Sequence, residues 1–153
     1  MNIEPASIND INDIKRLYKI LYLDMSKLQP EYCRAADEDE DFIKMIIESD
    51  KDDILIVKEN HQVLGFALVQ QQDTPPFNCI VPHKYAYLMD IVITPEQRGK
   101  GIGRQLINAV KSWAKSRKME YIELGVLTQN ENAVKLYESM EFFECRKTMR
   151  MKI

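Results

Sequence analysis

Hydrophobic positions along this chain change period several times, and the changes mark its elements. Ile8, Ile11, Ile14, Leu17, Tyr18 and Leu21 recur at helical spacing behind Ser7, a residue suited to cap a helix start. Residues 2 to 5 ahead of it read as a short strand ending at Pro5. Residues 28 to 40 are polar, broken by Pro30, and read as loop. Phe42, Ile43, Met45, Ile46 and Ile47 suggest a second short helix over 40 to 49, followed by a charged turn from Asp50 to Asp53.

Two β-type runs come next, 54 to 57 and 63 to 69, with 58 to 62 between them as a hairpin turn. Residues 73 to 83 carry three prolines and read as loop. Residues 85 to 93 form a further strand, stopped by Thr94-Pro95. Over 101 to 116, Ile102, Leu106, Ile107, Val110, Trp113 and Ala114 make an apolar stripe opposite Arg104, Gln105, Lys111 and Lys115. A strand over 121 to 126 follows, then a short helix with Ala133, Leu136, Tyr137 and Met140 on one face. Residues 142 to 153 read as a terminal strand region, giving the order β-α-α-β-β-β-α-β-α-β. That order predicts an α/β or α+β fold, a mixed sheet with helices on both faces, in a single domain over 1 to 153.

Composition narrows the function classes. A chain of 153 residues, 45% apolar and 29% charged, can bury a core without staples. A net charge of −3 gives no global pull toward nucleic acid, so any anion must be held locally. No run reaches the length of a membrane span, and the start lacks a signal-type apolar stretch, so the expected location is cytoplasmic. Cys33, Cys79 and Cys145 are odd in number and widely spaced. Together with two isolated histidines, His61 and His83, they predict neither a disulfide framework nor a metal site.

The chemistry begins at Arg98-Gly99-Lys100-Gly101-Ile102-Gly103-Arg104, where three of the chain's five glycines sit between a strand and a helix. Glycine lets backbone N–H groups approach a ligand, and a helix start offers unpaired donors and the positive end of its dipole. Such a loop suits a phosphate or pyrophosphate. The spacing fits neither the dinucleotide GxGxxG pattern nor the P-loop. It does fit R-x-x-G-x-G, which resembles the pyrophosphate loop of the GCN5-related N-acetyltransferases. Tyr85 to Pro95 is similar to that family's fourth strand. Asn130-Glu131-Asn132-Ala133-Val134-Lys135-Leu136-Tyr137-Glu138 is similar to its N-x-x-A-x-x-L-Y-E helix, although Glu141 stands where the family usually has glycine.

The resemblance implies an acetyltransferase that binds acetyl-CoA where the fourth and fifth strands splay apart. Pantetheine would pair with backbone around Ile91, Val92 and Ile93, and pyrophosphate would sit on Arg98, Gly99, Lys100, Gly101, Ile102, Gly103 and Arg104. Asn130 would stand near the pantetheine arm. Tyr137 matches the tyrosine that donates a proton to the CoA sulfur, although its helical face alone would make it a core aromatic. Asp90 is the only carboxylate inside the otherwise apolar run from Tyr85 to Ile93, which makes it the candidate base. A strand-end ion pair, an amine-orienting charge or a water chain are its alternatives. The acceptor is an amine, small-molecule or peptide. Tyr18, Tyr22, Asp24, Tyr32, Phe77 and the acidic run 37 to 41 are candidates to meet it, and that run equally suits a solvated helix start. A non-catalytic acyl-CoA-binding module or a transferase of longer acyl groups would use the same loop. A homodimer through the last strands would cover an open sheet edge.

Overall fold

The computed structural model describes all of residues 1–153. Strands β1 (Asn2–Pro5), β2 (Asp52–Glu59), β3 (Gln62–Asp73), β4 (Lys84–Ile93) and β5 (Ile122–Leu124) form one sheet in the order β1-β2-β3-β4-β5. The first three pairings are antiparallel and β4 with β5 is parallel. Helices are α1 (Ile11–Leu28), α2 (Glu40–Ile47), α3 (Ile102–Ser116) and α4 (Glu131–Ser139). The sheet is mixed and flanked by helices, as the hydrophobic pattern predicts, and most of its pairings are antiparallel.

The sheet separates two cores. On one face Ile102, Leu106, Ile107, Val110 and Trp113 of α3 pack with Tyr137 of α4 on Leu55, Val57, Ala67, Ala86 and Leu88. On the other, Ile14, Leu17 and Tyr18 of α1 and Ile43 and Ile46 of α2 pack on Ile54, Ile56, Phe66, Leu68 and Val92. Each helix buries one stripe, while the central strands bury both faces, which explains their almost continuous apolar runs.

Local chemistry sets the joints. Ser7 precedes a 3-10 turn at Ile8–Asp10, where the buried Asp10 carboxylate takes the Ser7 N–H at 2.7 Å and hydroxyl at 2.9 Å. Between β2 and β3, Asn60 (φ 50°) and His61 (φ 65°) both adopt positive φ, the two-residue turn whose twist matches a hairpin. Gly65 is required by proximity, because a Cβ there would lie 2.7 Å from the Val92 carbonyl oxygen on β4.

The tail differs from the expected strand. Residues 142 to 153 form no ladder, and Phe143, Met149, Met151 and Ile153 are exposed. β5 pairs over only three positions, and no other strand lies alongside the tail. An alternating sequence without a partner leaves its N–H and C=O groups to water. The tail is tethered by side chains instead: Arg146 to Glu123, the Arg150 guanidinium 4.1 Å over the Tyr32 ring, and Lys152 to Glu31. The homodimer expected through a terminal strand loses that strand as its basis.

Candidate active site

β4 carries both halves of the site. Its parallel pairing with β5 stops at Leu88 opposite Leu124, while β4 itself continues to Ile93. From Met89 onward β4 has no partner on that side, so the strands part and leave unpaired backbone groups along the wedge. Ile91 and Ile93 turn their side chains toward the α3 core and Val92 toward the α1 core, so it is their main chain that borders the opening.

The glycine loop closes the end of this wedge. Gly99 (φ 74°) and Gly101 (φ 85°) hold left-handed backbone with no atom within 4 Å of a would-be Cβ. Glycine is needed there for conformation, not for room. Gly103 differs: a Cβ would meet Leu136 Cδ2 at 3.1 Å and Ile93 Cδ1 at 3.3 Å, so it lets α3 sit against β4 and α4. Gly101 N-caps α3 without any side-chain cap, and no backbone carbonyl takes the N–H of Gly99, Lys100 or Gly101. These donors, with the first turn from Ile102 to Arg104, form a cradle suited to an anion.

The basic side chains of the loop are partly committed. Arg98 donates from Nε to the Ile93 carbonyl at 3.0 Å and pairs with Asp24 at 2.7 Å, tying the loop to the last turns of α1. Lys100 reaches only Gln97 at 3.2 Å, and Arg104 only Ser139 at 2.9 Å. Lys100 and Arg104 thus keep their charges uncompensated, while the charge of Arg98 is shared with Asp24.

Tyr137 reaches this region from α4. Asn130 caps that helix, its Oδ1 accepting the Ala133 N–H at 3.3 Å. The other end closes on Glu141, which takes φ 70° in place of a glycine. Glu141 N–H donates to the Glu138 carbonyl at 3.1 Å and Phe142 N–H to the Tyr137 carbonyl at 3.0 Å, the paired bonds of a Schellman closure. Phe142 then packs edge-on against the Tyr137 ring, centroids 5.8 Å apart. The ring is buried, yet its hydroxyl has no protein partner and no buried polar atom in the chain is unsatisfied, so the oxygen borders open space. Burial pushes the phenol up to about 12, keeping it protonated at neutral pH.

Asp90 lies on the opposite face. Leu68 pairs with Asp90 and Val69 with Leu88, so Met89 is an extra, unopposed residue in β4. This β-bulge reverses the side-chain parity. Ala86 and Leu88 face the α3 core, whereas Asp90, two residues after Leu88, faces α1. There its Oδ2 accepts the Tyr18 hydroxyl at 2.8 Å. Burial raises the Asp90 carboxyl above its ordinary value, the Tyr18 bond works against that rise, and the nearby Glu38 charge adds to it. Tyr18 is fully buried between Phe66 and Tyr22, with ring centroids at 4.9 and 5.4 Å. Tyr22 donates to Glu38.

Sequence patterning missed the bulge, although a carboxylate two residues after a core leucine was its signal. It also missed the pairing of Tyr18 with Asp90, which spans 72 residues. Members of the acidic run play separate roles. Asp39 caps α2, Asp37 pairs with Lys19, and only Glu38 joins the Asp90 cluster. Tyr32 is exposed with the Arg150 guanidinium over its ring, and Phe77 stands exposed in the 73 to 83 loop. Two open grooves of about 330 and 410 Å³ run along α1 beside Lys19 and Asp37. Neither is lined by Asp90, Tyr137 or the glycine loop.

The sequence pattern of the acetyltransferase (GNAT) family matches residues 14–142. The chain belongs to that family. YhfO of Bacillus subtilis, an uncharacterised N-acetyltransferase, is 30% identical over 147 residues, covering 94% of this chain and 91% of YhfO. The BH1408 protein of Bacillus halodurans, solved as a tetramutant, superposes with a TM-score of 0.94 at 24% identity over the whole of both chains. The aminoglycoside N-acetyltransferase AAC(6')-Iy, solved with CoA, shares the fold with a TM-score of 0.74 at 17% identity over 99% of this chain and 93% of its own. This GNAT protein is thus an acetyltransferase. No helix in it is long and apolar enough to cross a membrane, and no group of three or more His, Cys, Asp or Glu residues is placed to hold a metal.

Proposed function

We propose that this acetyltransferase uses acetyl-CoA and passes the acetyl group directly to a primary amine of a small molecule or peptide. The observation that carries the reading is the wedge: β4 runs on past the end of β5 into a loop of free N–H donors. An extended amide chain can pair with an open strand edge, and a pyrophosphate suits uncapped donors at a helix start. Membership of an acetyltransferase family supports acetyl-CoA as the substrate that fills both.

The residues bordering the wedge have matching chemistry. An alkyl ammonium, with a pKa near 10.4, must lose a proton before it can attack a thioester. Asp90 presents a half-buried carboxylate for that proton on the α1 face. Tyr137 presents a protonated hydroxyl for the departing thiolate from the α4 side. The N–H near Ile91 serves the developing oxyanion. Asn130 acts through α4, whose first turn it caps, and so places Tyr137.

Calorimetric titration with acetyl-CoA, with NAD and ATP as controls, tests the reading. Saturable binding of acetyl-CoA alone is expected, followed by free-thiol release on screening amines. A folded protein that does not bind acetyl-CoA would overturn it.

A further inference from the structure

Asp90 has two carboxylate oxygens in different circumstances. Oδ2 accepts the Tyr18 hydroxyl at 2.8 Å. Oδ1 has no hydrogen-bond donor from the protein, yet no buried polar atom is unsatisfied, so Oδ1 borders open space. The asymmetry comes from three elements acting together. The bulge at Met89 points Asp90 at α1, the rings of Phe66 and Tyr22 fix the buried Tyr18 ring, and Leu68 on β3 lies opposite Asp90. The titratable groups facing this carboxylate are Tyr18 and Tyr22 from α1 and Glu38 from the segment before α2; β3 offers only Phe66 and Leu68. No cation sits beside it.

We propose that Tyr18 is a positioning residue for the transfer, holding Asp90 by Oδ2 as the carboxylate so that Oδ1 alone takes the proton of the incoming ammonium. The inference rests on Asp90 as the base of the reaction proposed above. In the step, one N–H bond of the ammonium breaks, its electron pair stays on nitrogen as the attacking lone pair, and the proton bonds to Oδ1. Tyr18 keeps its own proton throughout, because burial and the neighbouring Asp90 carboxylate hold its phenol far above the ordinary range. Its bond favours the charged form of Asp90 against burial and against Glu38. Without that hydroxyl the carboxyl would be protonated over more of the working pH range, and the side chain would be free to turn.

The test does not need the natural acceptor. Protein labelled with 13C at aspartate carboxyls is titrated by NMR, and the Asp90 signal is identified by its loss in Asp90→Asn. In Tyr18→Phe, which keeps the ring and its packing, the Asp90 midpoint is expected to move to higher pH. In the unaltered protein, the Tyr18 Cζ shift is expected to report a step at the same midpoint, a measurement that needs no folded variant. An unmoved Asp90 midpoint in folded Tyr18→Phe, or a Tyr18 signal blind to Asp90, overturns the positioning role. With any amine that the screen identifies, the acidic limb of kcat/KM is expected to follow the NMR midpoint upward in Tyr18→Phe. An acidic limb that persists in Asp90→Asn would instead remove Asp90 as base while leaving the hydrogen bond intact, so the two failures are told apart.

Discussion

The two faces of the sheet use different materials for the two parts of the candidate site. On the α3 side, the cradle is main chain: Gly99, Lys100 and Gly101 offer N–H groups, with the uncompensated charges of Lys100 and Arg104 beside them. On the α1 side, the candidate base is built from side chains supplied by residues 18, 22, 38 and 90, brought together by packing. A main-chain site is local in sequence because consecutive amides make it. A side-chain site is distributed, because a buried charge needs partners from whatever elements surround it. The Arg98–Asp24 pair bridges the faces, joining the glycine loop to the helix that carries Tyr18.

Substitutions can separate the two constructions. Asp90→Asn breaks the side-chain half most severely. A fall of about 10² to 10⁴ in kcat/KM at neutral pH is expected, with loss of the acidic limb of the pH–rate profile. Because burial raises the folded Asp90 above its ordinary value, keeping it ionised costs stability at neutral pH. That cost fades as pH falls through the raised folded value toward the unfolded one. Asp90→Asn should therefore melt higher than the parent at neutral pH, and the gain should vanish in acid, as read by thermal unfolding across pH.

Tyr137→Phe comes next, removing a hydroxyl with no structural partner. A drop in kcat of about 10²-fold, the low end for a lost general acid, is expected with acetyl-CoA affinity unchanged by calorimetry. Gly101→Val attacks the main-chain half. It forces a β-branched residue to φ 85°, a strain of about 1 to 3 kcal/mol that shifts the backbone presenting the donors. Acetyl-CoA binding is expected to weaken at least about tenfold, a loss of about 1.4 kcal/mol. Asp24→Asn has the smallest expected effect. The Arg98–Asp24 pair is more than a third exposed on both sides, so its loss should cost at most about 1 kcal/mol in urea unfolding.

Much of the fold was readable from periodicity, because each helix faces one core and the hairpin carries its own turn residues. The terminal strand was misread for a physical reason. Residues 142 to 153 alternate as a strand does, but alternation reports which residues could line a face, not whether a partner exists to pair with. β5 is too short to offer one. Glu141 carried a sequence ambiguity that the structure resolves, since a Schellman closure holds it left-handed and steadies Tyr137 from below.

Residue order was enough to specify the family, the glycine cradle and the apolar stripes, since each depends on residues close along the chain and on backbone chemistry that short spacing dictates. Which face Asp90 serves was settled only by folding. A single unopposed residue, Met89, turned it away from the α3 core, and a tyrosine 72 positions earlier was waiting there as its donor. Parity across a bulge and contact across a sheet are properties of pairing, and pairing exists only once the strands have met.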